Sequence, residues 1–219
     1  MFELDHIFIC CSKGAPEAQA LIDFGLAEGA PNTHPGQGTA NRRFFFENAM
    51  LELLWVEDSE AAQSPVPGKT RLWDRWTKRA ERSPFGICMR PLDTGRAVCP
   101  FPSWDYKPGY LPENLSIKVG ENSENINEPM TFFLPFWGAE SYAEHKTDFE
   151  HPAGVKRVTR VEIANPGNER PSSVSRSLEQ CGEVFFVSGN SALATIAFDE
   201  GKSGKRHSFE PELPLTFVY

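Results

Sequence analysis

The chain has no apolar run near the ~20 residues that a membrane-spanning helix requires, and it has no long block of one charge sign. It is poor in cations. Across 219 residues, 22 Lys and Arg stand against 30 Asp and Glu, for a formal charge of −8. A surface of that sign repels phosphate backbones, so nucleic acid is not an expected partner. The five cysteines, Cys10, Cys11, Cys88, Cys99 and Cys181, are odd in number and lack metal-type spacing. That usage fits a reducing compartment and no disulfide framework. The adjacent Cys10 and Cys11 read as small core residues on opposite faces of a strand. The opening residues MFELDHIFICC carry Glu3 and Asp5 and no cationic lead, unlike a secretory leader. The expectation is a cytoplasmic protein without a membrane partner. Also missing are a Gly-x-Gly-x-x-Gly turn after a strand, a phosphate-binding Gly-Lys-Ser/Thr loop and a Gly-x-Ser-x-Gly nucleophile turn.

What is present is α+β patterning. FELDHIFICC is a strand rich in aromatic and β-branched residues, and GAPEAQALIDFGL carries a helical stripe that Gly25 closes. TANRRFFFEN and AMLELLWVED then read as two strands with Asn48 at the turn between them. The C-terminal part has a similar order. GVKRVTRVEIANP is a strand, ERPSSVSRSLEQCG a short helix ended by Gly182, and EVFFVSGNSALATIAFDEG a hairpin around Gly189 and Asn190. The expected organisation is a first strand–helix–strand–strand–strand module over 1–58, an elaborated middle segment over 59–153 and a second such module over 154–219. The middle holds a helix around Leu72 and Trp76, short strands, a polar loop, and proline-spaced aromatics that suit either a pocket wall or a loop anchor.

Strand parity isolates two ionisable residues. Leu4, His6, Phe8 and Cys10 share one face, with Asp5, Ile7 and Ile9 on the other. Met50, Glu52, Leu54 and Val56 share a face opposite Leu51, Leu53 and Trp55. Both faces are apolar, so Glu52 needs a partner. His6 is one, as a hydrogen bond or through a shared divalent metal (Zn, Fe, Mn or Ni). Arg42, Arg43 or Arg90 are others, as an ion pair. His34, in a turn made by Gly36 and Gly38, either packs that turn or acts as a general base. Thr39 and Asn41 follow it with hydrogen-bonding side chains. Of Arg42 and Arg43, one faces solvent and the other can meet an anionic substrate or Glu52.

Three segments, LDHIFICC, HPGQGTANRRFFFENAMLELL and PFGICMRP…FPSWDYKPGYLP, resemble the glyoxalase-like domains of the vicinal oxygen chelate superfamily. The match is best over residues 3–57. The resemblance implies an α+β fold in which paired βαβββ modules curl their mixed sheets into a cup. It implies one divalent metal ion, with His6 and Glu52 as ligands and two more from the second module. Here the pattern breaks. Arg160 and Thr216 occupy the positions expected for those ligands, Arg160 can neutralise Glu162, and Glu128 and His34 are only substitutes. The function implied is a small-molecule isomerase, lyase or dioxygenase that binds its substrate through adjacent oxygens. His34 and Glu52 would be catalytic, and Asn41, Arg42, Arg90, Trp104, Tyr106 and Tyr110 would contact substrate. The alternative is a metal-free protein that sequesters a small molecule, as bleomycin-resistance relatives do. A cup made vestigial by an assembly role for 59–153 is a third reading, and a homodimer is compatible with all three.

Overall fold

The computed structural model describes residues 1–138, 142, 150–166 and 171–219. Most of the polar stretch expected as a loop near 138–154, with His145, lies outside them. The chain opens with β1 (Phe2–Cys10), α1 (Ala18–Phe24), β2 (Asn32–His34), β3 (Thr39–Phe45) and β4 (Met50–Val56). Gly25 closes α1 in the left-handed region at φ 106°, as its position predicts. Two short helices, α2 (Ser59–Ala62) and α3 (Leu72–Thr77), lead to β5 (Phe85–Pro91), β6 (Ser103–Tyr106), β7 (Ile117–Gly120) and β8 (Met130–Phe133). The C-terminal part supplies β9 (Val158–Pro166), α4 (Ser173–Glu179), β10 (Val184–Gly189), β11 (Leu193–Phe198), β12 (Arg206–Ser208) and β13 (Leu215–Val218).

Eight strands form one sheet in the order β2-β3-β4-β1-β5-β8-β7-β6. Its two halves repeat one pattern. In each, the first strand runs parallel to the last and the other two follow outward, while β1 and β5 meet antiparallel at the centre. The module laid against residues 2–56 is therefore built from 85–133. This corrects the expectation that 154–219 pairs with the first module. Element order alone cannot say which strand takes the open edge of β1. The C-terminal strands form a separate sheet, β10-β9-β11-β13-β12. In it β9 lies between β10 and β11, so the hairpin expected around Gly189 does not form. The crossover through α4 makes β10 parallel to β9 on one edge and leaves the other edge to β11. The cap of α4 falls at Gln180, two residues before Gly182.

The two sheets share one apolar cluster. Leu4, Ile7, Ile9, Leu51, Leu53, Phe85 and Ile87 from the large sheet pack with Val161, Ile163, Ile196 and Phe217 from the small one. Asn48 fixes their alignment, its amide donating to the Val158 carbonyl at 2.9 Å and accepting from the Val158 amide at 3.0 Å. The free face of the large sheet carries a second cluster, with Phe8, Cys10, Leu54, Tyr106 and Phe132. Cys10 and Cys11 fall into different clusters, as their adjacency predicts.

Glu128 ties the sheets together at another point. Its Oε1 accepts from the Ser172 amide at 2.8 Å, and its Oε2 from the Ser172, Ser175 and Asn122 side chains at 2.6, 2.7 and 3.1 Å. Burial alone pushes this carboxyl up, but those donors outweigh it and hold it below its ordinary value of 4.5. A depressed folded-state value contributes stability above the unfolded one, lost as pH falls through the folded one. Urea midpoints of the wild type should therefore drop from pH 5 downward. A Glu128→Gln variant should be less stable at pH 7 and show a flatter acid limb. An unchanged acid limb would assign the loss to other carboxylates.

Candidate functional site

The free face of the large sheet forms the floor of a cavity of about 470 Å³. The floor is laid out by register. Arg43, Glu52, Phe8, Gly86 and Met130 stand in one row across five strands, and Phe45, Met50, His6, Cys88 and Phe132 in the next. The Phe8 ring lies over Gly86, where a Cβ would come within 1.9 Å of it, so only glycine fits.

His6 is held by a residue that strand parity assigns to the opposite face. Between Leu4 and His6 the pairing with β5 shifts by one residue, a bulge at Asp5. Leu4 consequently joins Ile7 and Ile9 in the inter-sheet core, while Asp5 turns to the cup side beside His6. The expected grouping of Leu4 with His6 is corrected by that bulge. Asp5 Oδ1 lies 2.5 Å from His6 Nδ1, and Asp5 Oδ2 accepts from Arg90 at 2.9 Å. Nε2 of His6 faces Glu52 Oε2 at 3.9 Å. Glu52 Oε1 accepts from the Asn41 amide at 2.9 Å. Burial lowers the His6 imidazolium, but Glu52 and Asp5 outweigh burial and leave it above its ordinary value of 6.5. Asp5 is pushed up by burial and pulled down further by His6 and Arg90, for a net value below 3.8.

His34, Tyr106 and Tyr110 line the cavity. His34 Nδ1 is 2.9 Å from the Thr39 hydroxyl, its ring packs against Tyr110, and burial holds it below the ordinary histidine value. Gln37 links two residues of the cavity wall, its Oε1 accepting from Tyr106 at 2.8 Å and Tyr110 at 3.4 Å. Four expected contacts stand elsewhere. Asn41 is fully buried and serves Glu52. Arg90 is locked by Glu3, Asp5 and the Asn48 carbonyl, with the Tyr142 ring over it. Trp104 stands behind the wall, edge-on to Tyr106. Arg42 turns away to Glu28 and the Ala15 carbonyl, and Arg43 faces the cavity in its place. Reasoning from sequence missed Asp5 and Gln37 and preferred Arg42 to Arg43. The turn at Glu47-Asn48, closed by Phe46 N–H to the Ala49 carbonyl, was a usable signal, because it sets Arg43 opposite Glu52. Of the other histidines, His151 is taken up by the Ala27 amide and Phe45 carbonyl, and His207 packs on Phe24 and Phe209.

The donor set limits what the cup can hold. His6 and Glu52 offer two metal-ligating atoms. One step along the matching strands, the register places Gly86 and Phe132 where their counterparts would be, and neither is a donor. Arg160 pairs with Glu162 in the other sheet, where Thr216 also lies, and Glu128 is committed to α4. Asp5, His6 and Cys88 stand close enough to surround an ion. Asp5 is however already neutralised by Arg90, and burial pushes the Cys88 thiol well above its ordinary range. Among the described residues, the four-ligand centre implied by the resemblance is not assembled.

Residues 4–178 match the model of a family described as "Glyoxalase-like domain". None of the curated proteins matches the chain. A hypothetical protein from Staphylococcus aureus shares the fold, with a TM-score of 0.53 at 14% identity over 99% of each chain. A hypothetical protein from Bacillus halodurans C-125 aligns over 61% of this chain and 93% of its own, at 14% identity and a TM-score of 0.38, too low to bear on the fold. No helix among the described residues is long and apolar enough to cross a membrane.

Proposed function

The chain belongs to the glyoxalase-like domain family, and on that footing we propose that its cup takes a small, largely apolar carbonyl compound and moves a proton on the carbon beside the carbonyl. The observation that carries this reading is the pair His6 Nε2 and Glu52 Oε2, 3.9 Å apart on the cavity floor. Each is fixed from behind, one by Asp5 and the other by Asn41. That spacing suits two neighbouring atoms of one substrate. Glu52 takes the proton from carbon, and the C–H electron pair moves into the C=C bond of an enolate. His6, raised toward its protonated form, donates its Nε2 proton to the carbonyl oxygen as charge gathers there. Return of a proton to carbon, or loss of a neighbouring group, gives isomerase or lyase chemistry. His34, held neutral by burial and lining the same cavity, would relay a proton. Asp5 fixes the His6 tautomer and ring orientation, as carboxylates do for catalytic histidines.

The test is solvent exchange. Aliphatic and aromatic 2-oxo and 3-oxo compounds are incubated with the protein in D₂O, and the α-C–H signals are followed by NMR. At least one should lose its signal faster than in buffer. If none does, the proposal fails, and a compound that raises Tm without exchanging assigns the cup to binding instead. A second reading, a divalent ion on His6 and Glu52 alone, is favoured by their shared exposure to the cavity. It requires stoichiometric metal after incubation with Zn²⁺, Mn²⁺, Ni²⁺ or anaerobic Fe²⁺, reduced in His6→Ala.

A further inference from the structure

Arg43 is the anomaly of the cup. Arg42, Arg71, Arg90 and Arg160 each pair with a carboxylate, whereas no ion pair forms at Arg43 among the described residues. It stands directly opposite Glu52 in the β3–β4 pair, yet Glu52 takes the Asn41 amide instead. The Arg43 Nε donates to the Ala30 carbonyl at 2.7 Å, and its guanidinium carbon lies 5.1 Å from the Phe45 ring centre. Among the described residues its Nη atoms have no acceptor, and the side chain lines the cavity. Burial lowers its pKa, only partly offset by Glu52. The side chain is only half-buried, so its donors are open to the cavity and free to meet an anionic group on a ligand.

We propose that Arg43 anchors a carboxylate, so that the compound held in the cup is a small oxo-acid. The guanidinium fork matches a carboxylate through two parallel N–H···O bonds. Among the described residues no lysine and no second arginine lines the cavity, which argues against a phosphate. Arg43 and Glu52 are direct cross-strand neighbours lining one cavity, so an acid group held by Arg43 would lie close to a carbon presented to Glu52. That geometry selects 2-oxo and 3-oxo acids. Phe8, Leu54, Leu72, Ile117, Met130 and Phe132 leave an apolar wall for an alkyl or aryl tail. The carbonyl half of this assignment rests on the proton-transfer reading above, while the carboxylate half stands on Arg43 alone.

The experiment compares pyruvate, 2-oxobutyrate, 4-methyl-2-oxopentanoate, phenylpyruvate and 3-oxohexanoate with their methyl esters, by calorimetry and thermal shift. At least one acid should bind tenfold or more tightly than its ester. Arg43→Gln should remove that preference while leaving ester binding unchanged, and Arg43→Lys should keep part of it. Equal binding of acid and ester, a preference that survives Arg43→Gln, or no acid bound at millimolar concentration overturns the assignment. The two readings separate cleanly. Arg43-dependent acid binding without α-deuterium exchange would sink the proton-transfer chemistry and keep the anchor. Exchange of acids and esters alike, at a rate unchanged in Arg43→Gln, would do the reverse.

Discussion

A Glu52→Gln variant should bind the same carbonyl compounds as the wild type and lose its α-proton exchange by about 10²- to 10⁴-fold, the usual contribution of a positioned general base. The substitution is close to isosteric, and the amide oxygen can still accept from Asn41, so the floor of the cup keeps its shape. What disappears is the basic oxygen facing His6 Nε2. The signature is a fall in turnover at saturating substrate with the dissociation constant little changed. If exchange survives within a few-fold, the base is another group, and His34 is the next one lining the cavity. If binding is lost as well, Glu52 is a binding group and the catalytic reading falls with it.

The largest effect on stability is expected from Arg90. Its side chain is 2% exposed and carries Glu3, Asp5 and the Asn48 carbonyl on three of its nitrogens. Substitution by Leu fills much of the space but leaves Asp5 as a buried carboxylate with only His6 to balance it. Breaking such a pair from one side costs roughly 3–5 kcal/mol. For a chain of this length the same loss lowers Tm by roughly 6–20 °C. Thermal melts at pH 7 measure it. Adding Asp5→Asn to Arg90→Leu should recover part of the loss, because the second change removes the stranded charge. A single-variant penalty under about 1 kcal/mol would mean that the bulge at Asp5 relaxes and lets the carboxylate reach water.

The parts of this architecture that were legible in the sequence are those governed by local rules. The alternation in β4 placed Glu52 between apolar neighbours on the cup face, and the spacing before Gly25 gave α1 its end. The companionship of His6 and Glu52 followed from two such alternations. What escaped depends on pairing at a distance. A bulge is a property of two strands, so nothing in LDHIF announces that Asp5 will share a face with His6. The choice of 85–133 as partner for the first module is an edge-pairing decision, and the C-terminal segment offered the same succession of elements. Arg42 and Arg43 differ only in phase. The turn at Glu47-Asn48 sets that phase, and counting back from it selects Arg43.

The layering of the two sheets also orders events during synthesis. The described residues that line the cup all precede residue 143, whereas strands β9 to β13, which cover the reverse of its floor, follow residue 157. At translation rates of roughly 5–20 residues per second, the eight-stranded sheet leaves the ribosome seconds before its cover exists. During that interval Leu4, Ile7, Ile9, Leu51 and Leu53 present a bare apolar surface. The nascent chain is then at its most adhesive, and a chaperone that grips apolar surface would engage it from behind, on the side away from the cup.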